Sequence, residues 1–403
     1  MRRDRLEKEA HRWVREGIIS ETQLQRIVSL YPKTDQRFLL MAFGGLFIGL
    51  GFLTFVASNW SDITNLMKMA IILISMLGFY GAGNWIHTNR SKGVGATFLV
   101  IGVLIFGAGI MLTGQMYHYM AFSATAFFIW SLAAIAMFML SHEAVMLILA
   151  FAIMIVGQVY GGITYQHFHI GIGLLFIIGL GYFTLVHRRE WISLLYSLGF
   201  VVQSLVLVFT TDLSYYWLLF FWLLLYALAE VMPSDFPVHS FQRVALLGGF
   251  ILGIIHVFSL QSEWILDNLD EGIPFIISVL LVAMFIAYQK ARKHDLVLLV
   301  DIALFIPVFF LPSLQSALVL LLLFTFSIGR LLVGYNRGDG EVINTGTVAF
   351  LASTLVAYFQ LAWDFLDKSL FFFIGGILLF GLGYLLEQRR RSYAHNGEEE
   401  DLT

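Results

Sequence analysis

The chain has 403 residues, of which 59% are hydrophobic and only 13% are charged. Soluble domains carry about 25% charged residues, so this composition excludes a soluble globular protein and predicts a membrane protein. The sequence contains no cysteine, which excludes disulfides, thiolate metal sites and cysteine nucleophiles. A formal net charge of −3 gives no reason to expect nucleic acid as a partner.

The first 36 residues are predicted to form an amphipathic, cytoplasmic helical hairpin. Trp13 and Val14 belong to an apolar stripe with helical spacing. Ser20, followed three residues later by Gln23, predicts a capping box at the start of a second helix. Two interpretations of the hairpin stay open: a lid that packs on the membrane domain or lies in the membrane interface, or a docking site for a membrane or cytoplasmic protein partner.

A series of apolar runs follows, and each run is long enough to cross a bilayer as a helix. They cover residues 38–58, 66–86, 95–115, 122–140, 144–160, 169–186, 191–210, 215–231, 243–260, 272–289, 296–312, 315–334, 342–362 and 370–386. Backbone groups in lipid must be satisfied internally, so these runs predict helices and not strands. We therefore expect an all-α polytopic bundle of about fourteen transmembrane helices, unless two runs form one re-entrant pair.

The charges of alternate loops predict that both termini are cytoplasmic. If the N-terminus is inside, all of the 24 basic residues except Lys68 and Lys368 fall on the inner side. The predicted outer loops carry acidic residues such as Asp267, Asp270 and Glu271. Because cytoplasmic loops collect Lys and Arg, this pattern predicts a multi-pass protein of the inner cell membrane with both ends inside.

Two stretches of the chain resemble each other at a constant offset of 204 residues. The matched positions are small residues and a Ser-x-Trp motif: Gly44, Gly45, Gly49, Ser58 and Trp60 correspond to Gly248, Gly249, Gly253, Ser262 and Trp264. The offset predicts a parallel repeat, with six helices in residues 37–190, a two-helix linker in 191–242 and six helices in 243–388; chance similarity is the alternative. Residues 389–403 are predicted to form a disordered cytoplasmic tail.

Neutral polar and aromatic side chains are concentrated where the third and fifth spans reach the predicted outer face. The candidate ligand-binding residues are Gln115, Tyr117, His118, Gln158, Tyr160 and His167. They are interpreted either as a pocket for a lipid headgroup or a sugar, or as anchors at the membrane interface. A metal site is not expected, because no carboxylate lies close to them in the sequence.

Two ionisable residues are predicted to lie inside the membrane at a similar depth. Asp301 and Arg330 fall on consecutive antiparallel spans, so they are expected to pair, either as a structural ion pair or as a site for a coupling ion or proton. Pro307 removes a backbone donor from the span of Asp301 and can open its helix. We expect Glu230 to reach the interface and His256 to be a packing residue.

Three groups of motifs in the first third of the chain carry a resemblance to a known family. They are Trp13, Gly17-Ile18-Ile19-Ser20, Gln23 and Tyr31 in the hairpin; Ala57-Ser58-Asn59-Trp60 with Lys68; and Gly114-Gln115-Met116-Tyr117-His118. In this combination the chain resembles the domain-of-unknown-function family DUF2157 of predicted prokaryotic membrane proteins. That family has no established activity, so the resemblance implies placement in a membrane and no chemistry.

Three functions stay open from the sequence. The first is a secondary transporter or flippase-like protein for a small or lipid-linked solute, and the second is a non-catalytic scaffold or regulator of an envelope complex. The third, an intramembrane enzyme acting on lipid, has the least support. His142-Glu143, for example, lacks the second histidine of a zinc protease helix. We predict no catalytic residue and no cofactor, and the lipid bilayer is the expected partner.

Overall fold

A computed structural model of the chain describes residues 13–29 except 16 and 18, and then residues 64–118, 122–211, 213–233, 236–259, 272–293, 296–308 and 315–362, with single positions at 43–54 and 370–384. Most of the predicted first span, part of the last span, the outer loop at 260–271 and the tail at 389–403 lie outside the described residues. All regular structure in the described part is helical, with no strand, as the sequence predicted.

The helices are numbered here in chain order. They are α1 Glu21–Ser29, α2 Asn65–Asn89, α3 Lys92–Met116, α4 Thr125–Ser141, α5 Ala144–Tyr165, α6 Ile170–His187, α7 Glu190–Thr210, α8 Trp217–Val231, α9 His239–Ser259, α10 Gly272–Arg292, α11 Gln315–Arg337 and α12 Gly340–Ala362. A 3₁₀ helix, Leu296–Phe305, lies between α10 and α11, and residues Leu175–Leu180 inside α6 form a π-helical turn.

Nine helices in the described part of the chain are long and apolar enough to cross a membrane, namely α2, α3, α5, α6, α7, α9, α10, α11 and α12. The helices α4 and α8 are shorter but also apolar. Large apolar side chains such as Leu77, Ile163 and Leu281 are exposed on these helices, as expected of surfaces that contact lipid. The chain is therefore a membrane protein. The total of fourteen spans, the orientation of the termini and the repeat stay predictions.

The predicted span at 296–312 differs from the others, because its first part is a 3₁₀ helix and not an α-helix. A 3₁₀ helix rises about 2.0 Å per residue, so its 10 residues extend about 20 Å. The hydrocarbon core is about 30 Å thick. Pro307 has no N–H group, and its ring would clash with the carbonyl four residues earlier, so a proline at this position kinks or breaks an α-helix.

The chain forms two compact units, residues 1–153 and residues 154–403. In the first unit α2 and α3 pack as a close antiparallel pair, with α4 against α3. A Cβ atom placed on Gly102 would lie 2.6 Å from the ring of Tyr80, and one on Gly107 would overlap the ring of Trp130. Trp130 also donates a 2.8 Å hydrogen bond from Nε1 to the carbonyl of Val103. Small residues therefore determine how closely these helices approach.

The described residues of the predicted hairpin have a small apolar core, in which Trp13 and Ile19 pack on the buried Leu24. The predicted capping box is confirmed. The N–H of Ser20 donates to Gln23 Oε1 at 2.8 Å, and the N–H of Gln23 donates to Ser20 Oγ at 3.3 Å. The docking role of the hairpin stays a prediction.

Within each unit, loops that the charge pattern assigns to the same side of the membrane meet. In the second unit Arg243, in the first turn of α9, forms ion pairs with Glu190, 4.0 Å away at the start of α7, and with Glu341 at the start of α12. In the first unit His87 Nε2 lies 3.0 Å from Glu143 Oε1. These contacts agree with the predicted alternation of the helices.

Candidate functional site

Asp301 lies on the 3₁₀ helix, and only 2% of its surface is exposed. Arg330 of α11 places Nε 2.9 Å from Asp301 Oδ1 and Nη2 3.3 Å from Oδ2. The Nε contact is an ion pair without the alignment of a hydrogen bond. Tyr226 of α8 donates a hydrogen bond of 2.8 Å to Oδ2. Groups from two α-helices therefore hold the carboxylate, and the structure brings together the two residues that the sequence placed at one depth.

A second charged group surrounds Glu230 near the end of α8. Lys290 Nζ lies 3.0 Å from Glu230 Oε1, and Lys293 Nζ lies 2.9 Å from Oε2. Gln242 Nε2 also donates to Oε1, at 3.0 Å. Gln242 and the two lysines cover Glu230 and leave only 4% of its side chain exposed, so its carboxylate is paired within the protein, and the expectation that it reaches the membrane interface stays a prediction.

The two charged groups are linked through Lys290 and Tyr226. Tyr226 precedes Glu230 by four residues, so both side chains lie on one face of α8. Lys290 Nζ, bound to Glu230, lies 5.2 Å from the centre of the Tyr226 ring, within the range of a cation–π contact. Glu230, Lys290, Tyr226, Asp301 and Arg330 thus form one row, which we call the buried charge row.

The formal charges of the buried charge row cancel. The carboxylates of Glu230 and Asp301 face the ammonium of Lys290 and the guanidinium of Arg330. The side chain of Lys290 is 2% exposed, whereas that of Lys293, which binds Glu230 from outside the row, is 51% exposed. The row therefore extends from the surface, at the end of the unit that the charge pattern assigns to the cytoplasm, into the apolar interior.

Close packing on two sides fixes the position of the 3₁₀ helix. On one side Val300 packs directly against Gly329 of α11, where a Cβ atom would overlap the valine side chain. On the other side a Cβ atom on Gly249 of α9 would lie 3.1 Å from the ring of Phe305. The small residues noted in the sequence of α9 thus allow the segment that carries Asp301 to lie between α9 and α11.

A small cavity of about 20 Å³ lies beside the end of the 3₁₀ helix. Its lining includes Gly253, His256, Leu304, Val319 and Leu323. A cavity needs about 10–15 Å³ to hold one water molecule, so this cavity has room for a molecule of that size. The ring of His256 is 2% exposed and meets the ring of Tyr215 edge to face at 5.3 Å, as expected of a packing residue.

The candidate ligand-binding residues of the first unit lie at the end of α3. Gln115, Tyr117 and His118 are all exposed, whereas Met116 between them is buried. His118 adopts a left-handed backbone conformation with φ of 51°, which ends the helix. These three residues therefore form a surface and not an enclosed pocket, and their role in binding stays a prediction.

The candidates of the second unit separate into two environments. Tyr160 and His167 are exposed, and the ring of Tyr160 packs edge to face on Tyr165 at 5.8 Å. Gln158 is completely buried, with an exposure of 0%. Gln158 therefore does not belong to the surface group that its Gly-Gln-x-Tyr motif suggested.

Sequence reasoning did not single out Tyr226, Lys290 or Gln203 as functional candidates. The sequence analysis counted Lys290 among the basic residues of the predicted cytoplasmic loops. That count gives no information on whether an individual lysine is buried. The spacing of Tyr226 and Glu230, four residues apart on an otherwise apolar helix, is a signal that would have placed these two side chains on one helix face. Among the described residues, no group of three His, Cys, Asp or Glu side chains is placed to hold a metal ion.

Residues 11–147 match the sequence model of the DUF2157 family, which is described as a predicted membrane protein. This match confirms the resemblance seen in the motifs. Neither a curated protein nor a solved structure matches the chain. The buried charge row lies outside the matched residues, so the family description carries no information about it.

Proposed function

Starting from a membrane protein whose residues 11–147 match the DUF2157 family, we propose that the chain is an ion-coupled secondary transporter of a small or lipid-linked solute. The observation that carries the proposal is the buried charge row, centred on Asp301 and Arg330. We propose a proton as the coupling ion and Asp301 as its site. No soluble domain or catalytic constellation in the described residues favours an enzyme.

The burial of the row supports a functional role and not only a structural one. Ionisable side chains inside a membrane are costly, so they tend to mark ion or substrate pathways. Replacing a buried ion pair with packed apolar residues is often neutral or stabilising, so such a pair is a poor means of gaining stability. A second buried pair in the same row, Glu230 with Lys290, adds to that cost.

The geometry gives a way to couple proton binding to movement. A proton on Asp301 removes the negative charge that faces Arg330, and an unpaired buried guanidinium costs about 3–5 kcal/mol. Arg330 must then move towards water or another acceptor, and it is carried by α11. Gain and loss of one proton would thereby shift α11 relative to the 3₁₀ helix.

The irregular backbone at Asp301 supports the same proposal. Transporters bind ions and substrates at interrupted helices, where the backbone can change without breaking a regular helix. The 3₁₀ helix ends near Pro307, beside the small cavity. We propose that this cavity is the closed form of the pathway and that it opens in turn to each side of the membrane.

Single cysteines test the proposal directly, because the chain contains none. Val319→Cys places a thiol in the wall of the cavity. An impermeant thiol reagent is applied to right-side-out and to inverted vesicles. We expect Val319→Cys alone to react from both sides. In the double variant with Asp301→Asn, which is expected to fix one state, the same cysteine should react from a single side.

Val333→Cys is the matched control, because Val333 is an equally buried valine of α11 that does not line the cavity. It should not react from either side. If Val319→Cys reacts from neither side, or from the same single side with and without Asp301→Asn, the cavity does not alternate and the transporter proposal is wrong.

A non-catalytic scaffold or regulator of an envelope complex is the second candidate. The observation that favours it is the hairpin, which has its own core around Leu24 and exposes Glu21, Thr22 and Arg26. A cavity that never opens, together with a protein partner that is lost when the hairpin is deleted, would establish this alternative.

A further inference from the structure

The helices α5 and α7 form a parallel seam in the second unit. A Cβ atom on Gly162 of α5 would lie 2.8 Å from Val206 Cγ1, and one on Gly199 of α7 would lie 3.3 Å from Ile155 Cδ1. Both contacts join positions that are 44 residues apart, so the two helices run in the same direction with a constant register. Each residue of α5 in this region therefore lies at the same depth as the α7 residue about 44 positions later in the sequence.

Two glutamines occupy the centre of this seam. Gln158 lies between Ile155 and Gly162 on the face of α5 that contacts α7, because residues spaced by three and four positions share a helix face. Gln203 lies in the same way between Gly199 and Val206 on α7. Gln203 is 45 positions after Gln158, which matches the register of the seam to within one residue. The two carboxamides thus lie at one depth between the same two helices.

Both side chains are buried without a hydrogen-bond partner in the described part of the chain. Gln158 is 0% exposed and Gln203 is 6% exposed, and the amide nitrogen and oxygen of each have no partner there. A carboxamide offers two donors and an oxygen with two lone pairs. Burying one amide group without hydrogen bonds costs about 1–3 kcal/mol by protein mutational data, so an occupant that satisfies both would be favoured.

The surroundings restrict the size and the charge of such an occupant. On one side the seam is closed by the contact between Gly162 and Val206. On the other side Gly199 packs against Ile155 and against Phe176, which lies in the π-helical turn of α6. These two contacts are seven residues apart, or about two helical turns, and they limit the length of any group that lies between them.

The helices of the seam do not provide a counter-charge at this depth. The sequence of α5 has no charged residue, and α7 carries only Glu190, at its start. Placing an ion here would therefore be costly, whereas a neutral group that both donates and accepts hydrogen bonds complements a pair of carboxamides.

We propose that Gln158 and Gln203 form a binding site for an uncharged hydroxyl group, supplied either by a water molecule or by a small polyol. The hydroxyl group donates to one amide oxygen and accepts from the other amide nitrogen. This site is separate from the buried charge row, and it does not depend on whether the protein is a transporter.

Solid-state NMR of the full chain in lipid bilayers tests the site. The side-chain amides of glutamine are labelled with ¹⁵N, and the signals of Gln158 and Gln203 are assigned by their loss in Gln158→Met and Gln203→Met. Spectra are recorded in buffer alone and with ¹³C-glycerol as the polyol probe. We expect both amide signals to show a cross-peak to a water proton, or to glycerol carbons if the polyol displaces water.

Gln115→Met is the matched control, because Gln115 is an exposed glutamine and its loss should leave these cross-peaks unchanged. If either variant fails to fold, Gln158→Leu or Gln203→Leu assigns the same signal in its place. Cross-peaks from the two amides only to protein carbonyl carbons, including each other's, would show that the glutamines satisfy one another and would overturn the proposal.

Discussion

Tyr226 donates its 2.8 Å hydrogen bond to the carboxylate oxygen of Asp301 that Arg330 Nη2 approaches at 3.3 Å. The phenol and the guanidinium therefore share Oδ2, while Oδ1 faces only Arg330 Nε. As a result the carboxylate keeps a hydrogen bond from Tyr226 even if Arg330 moves away. This relationship predicts that Tyr226 and Arg330, the two partners of Asp301, contribute differently to the stability of the fold.

The substitution Tyr226→Phe removes the hydrogen bond and keeps the ring that contacts Lys290. Hydrogen bonds to charged groups contribute about 1.5–3 kcal/mol, so we expect the free energy of unfolding to fall by that amount. It would be measured by unfolding in mixed micelles. Tyr182→Phe, at an exposed tyrosine, should have no measurable effect.

Removing one charge of the central ion pair should be more harmful than removing both. Asp301→Ala leaves Arg330 buried and unpaired, which costs about 3–5 kcal/mol. The double variant Asp301→Leu with Arg330→Met should recover most of that loss, because no unpaired charge remains. Each variant is heated, and size-exclusion chromatography then measures the fraction of the protein that stays monodisperse. A double variant less stable than Asp301→Ala would contradict a simple ion pair.

The two lysines bound to Glu230 should differ in their contribution, because Lys290 is 2% and Lys293 51% exposed. Lys290→Met should lower the free energy of unfolding by about 1.5–3 kcal/mol, as expected for a charged hydrogen bond that is shielded from water. Lys293→Met should lower it by at most about 1 kcal/mol, because solvent screens the exposed pair. Equal effects of the two substitutions would show that burial does not set the strength of these contacts.

The contact between Gly107 and Trp130 predicts a strong effect of one added methyl group. Gly107→Ala forces the indole ring away and weakens its hydrogen bond to Val103, so we expect a loss of about 1–3 kcal/mol from overpacking. Gly78→Ala in α2 is the matched control, because a Cβ atom there has no neighbour within 4 Å. That substitution should be neutral or stabilise the helix by up to about 1 kcal/mol. Unfolding in mixed micelles compares the two.

His169 predicts a local dependence on pH at the start of α6. Its Nδ1 accepts a 3.2 Å hydrogen bond from the N–H of Ile172, and burial, followed by the nearby His167, lowers the pKa of His169 below its ordinary value. Because the pKa of His169 is lowered in the folded state, the stabilisation that its neutral ring gives to the start of α6 is fully present above the ordinary pKa of histidine. It is lost as the pH falls through the lowered value.

Hydrogen exchange of the Ile172 amide measures this effect. Protection should fall at acidic pH in the natural chain but not in His169→Asn, because asparagine is a helix cap that does not titrate. Equal loss of protection in both proteins would mean that His169 is not the titrating group.

Much of the helical framework could be predicted from apolar run lengths alone. The helices α2, α3, α5, α6 and α7 coincide with predicted spans to within a few residues, because a backbone in lipid has few alternatives to a helix. The capping box of Ser20 and Gln23 was also predictable, because it depends on two residues three positions apart in the sequence and not on tertiary contacts. By contrast, the 3₁₀ helix at Asp301 depends on packing between α9 and α11, which hydropathy does not contain.

The sequence by itself determined that this is a helical membrane protein, and it predicted that Asp301 and Arg330 pair. Each of these follows from local composition and from the alternation of antiparallel spans. Only the tertiary structure decided that Glu230 is buried, that Lys290 and Tyr226 join the two ion pairs, and that Gln158 is buried instead of exposed at the outer surface. Those facts depend on helix rotation and on contacts between residues distant in sequence, and an almost uniformly apolar helix carries little amphipathic signal to fix its rotation in advance.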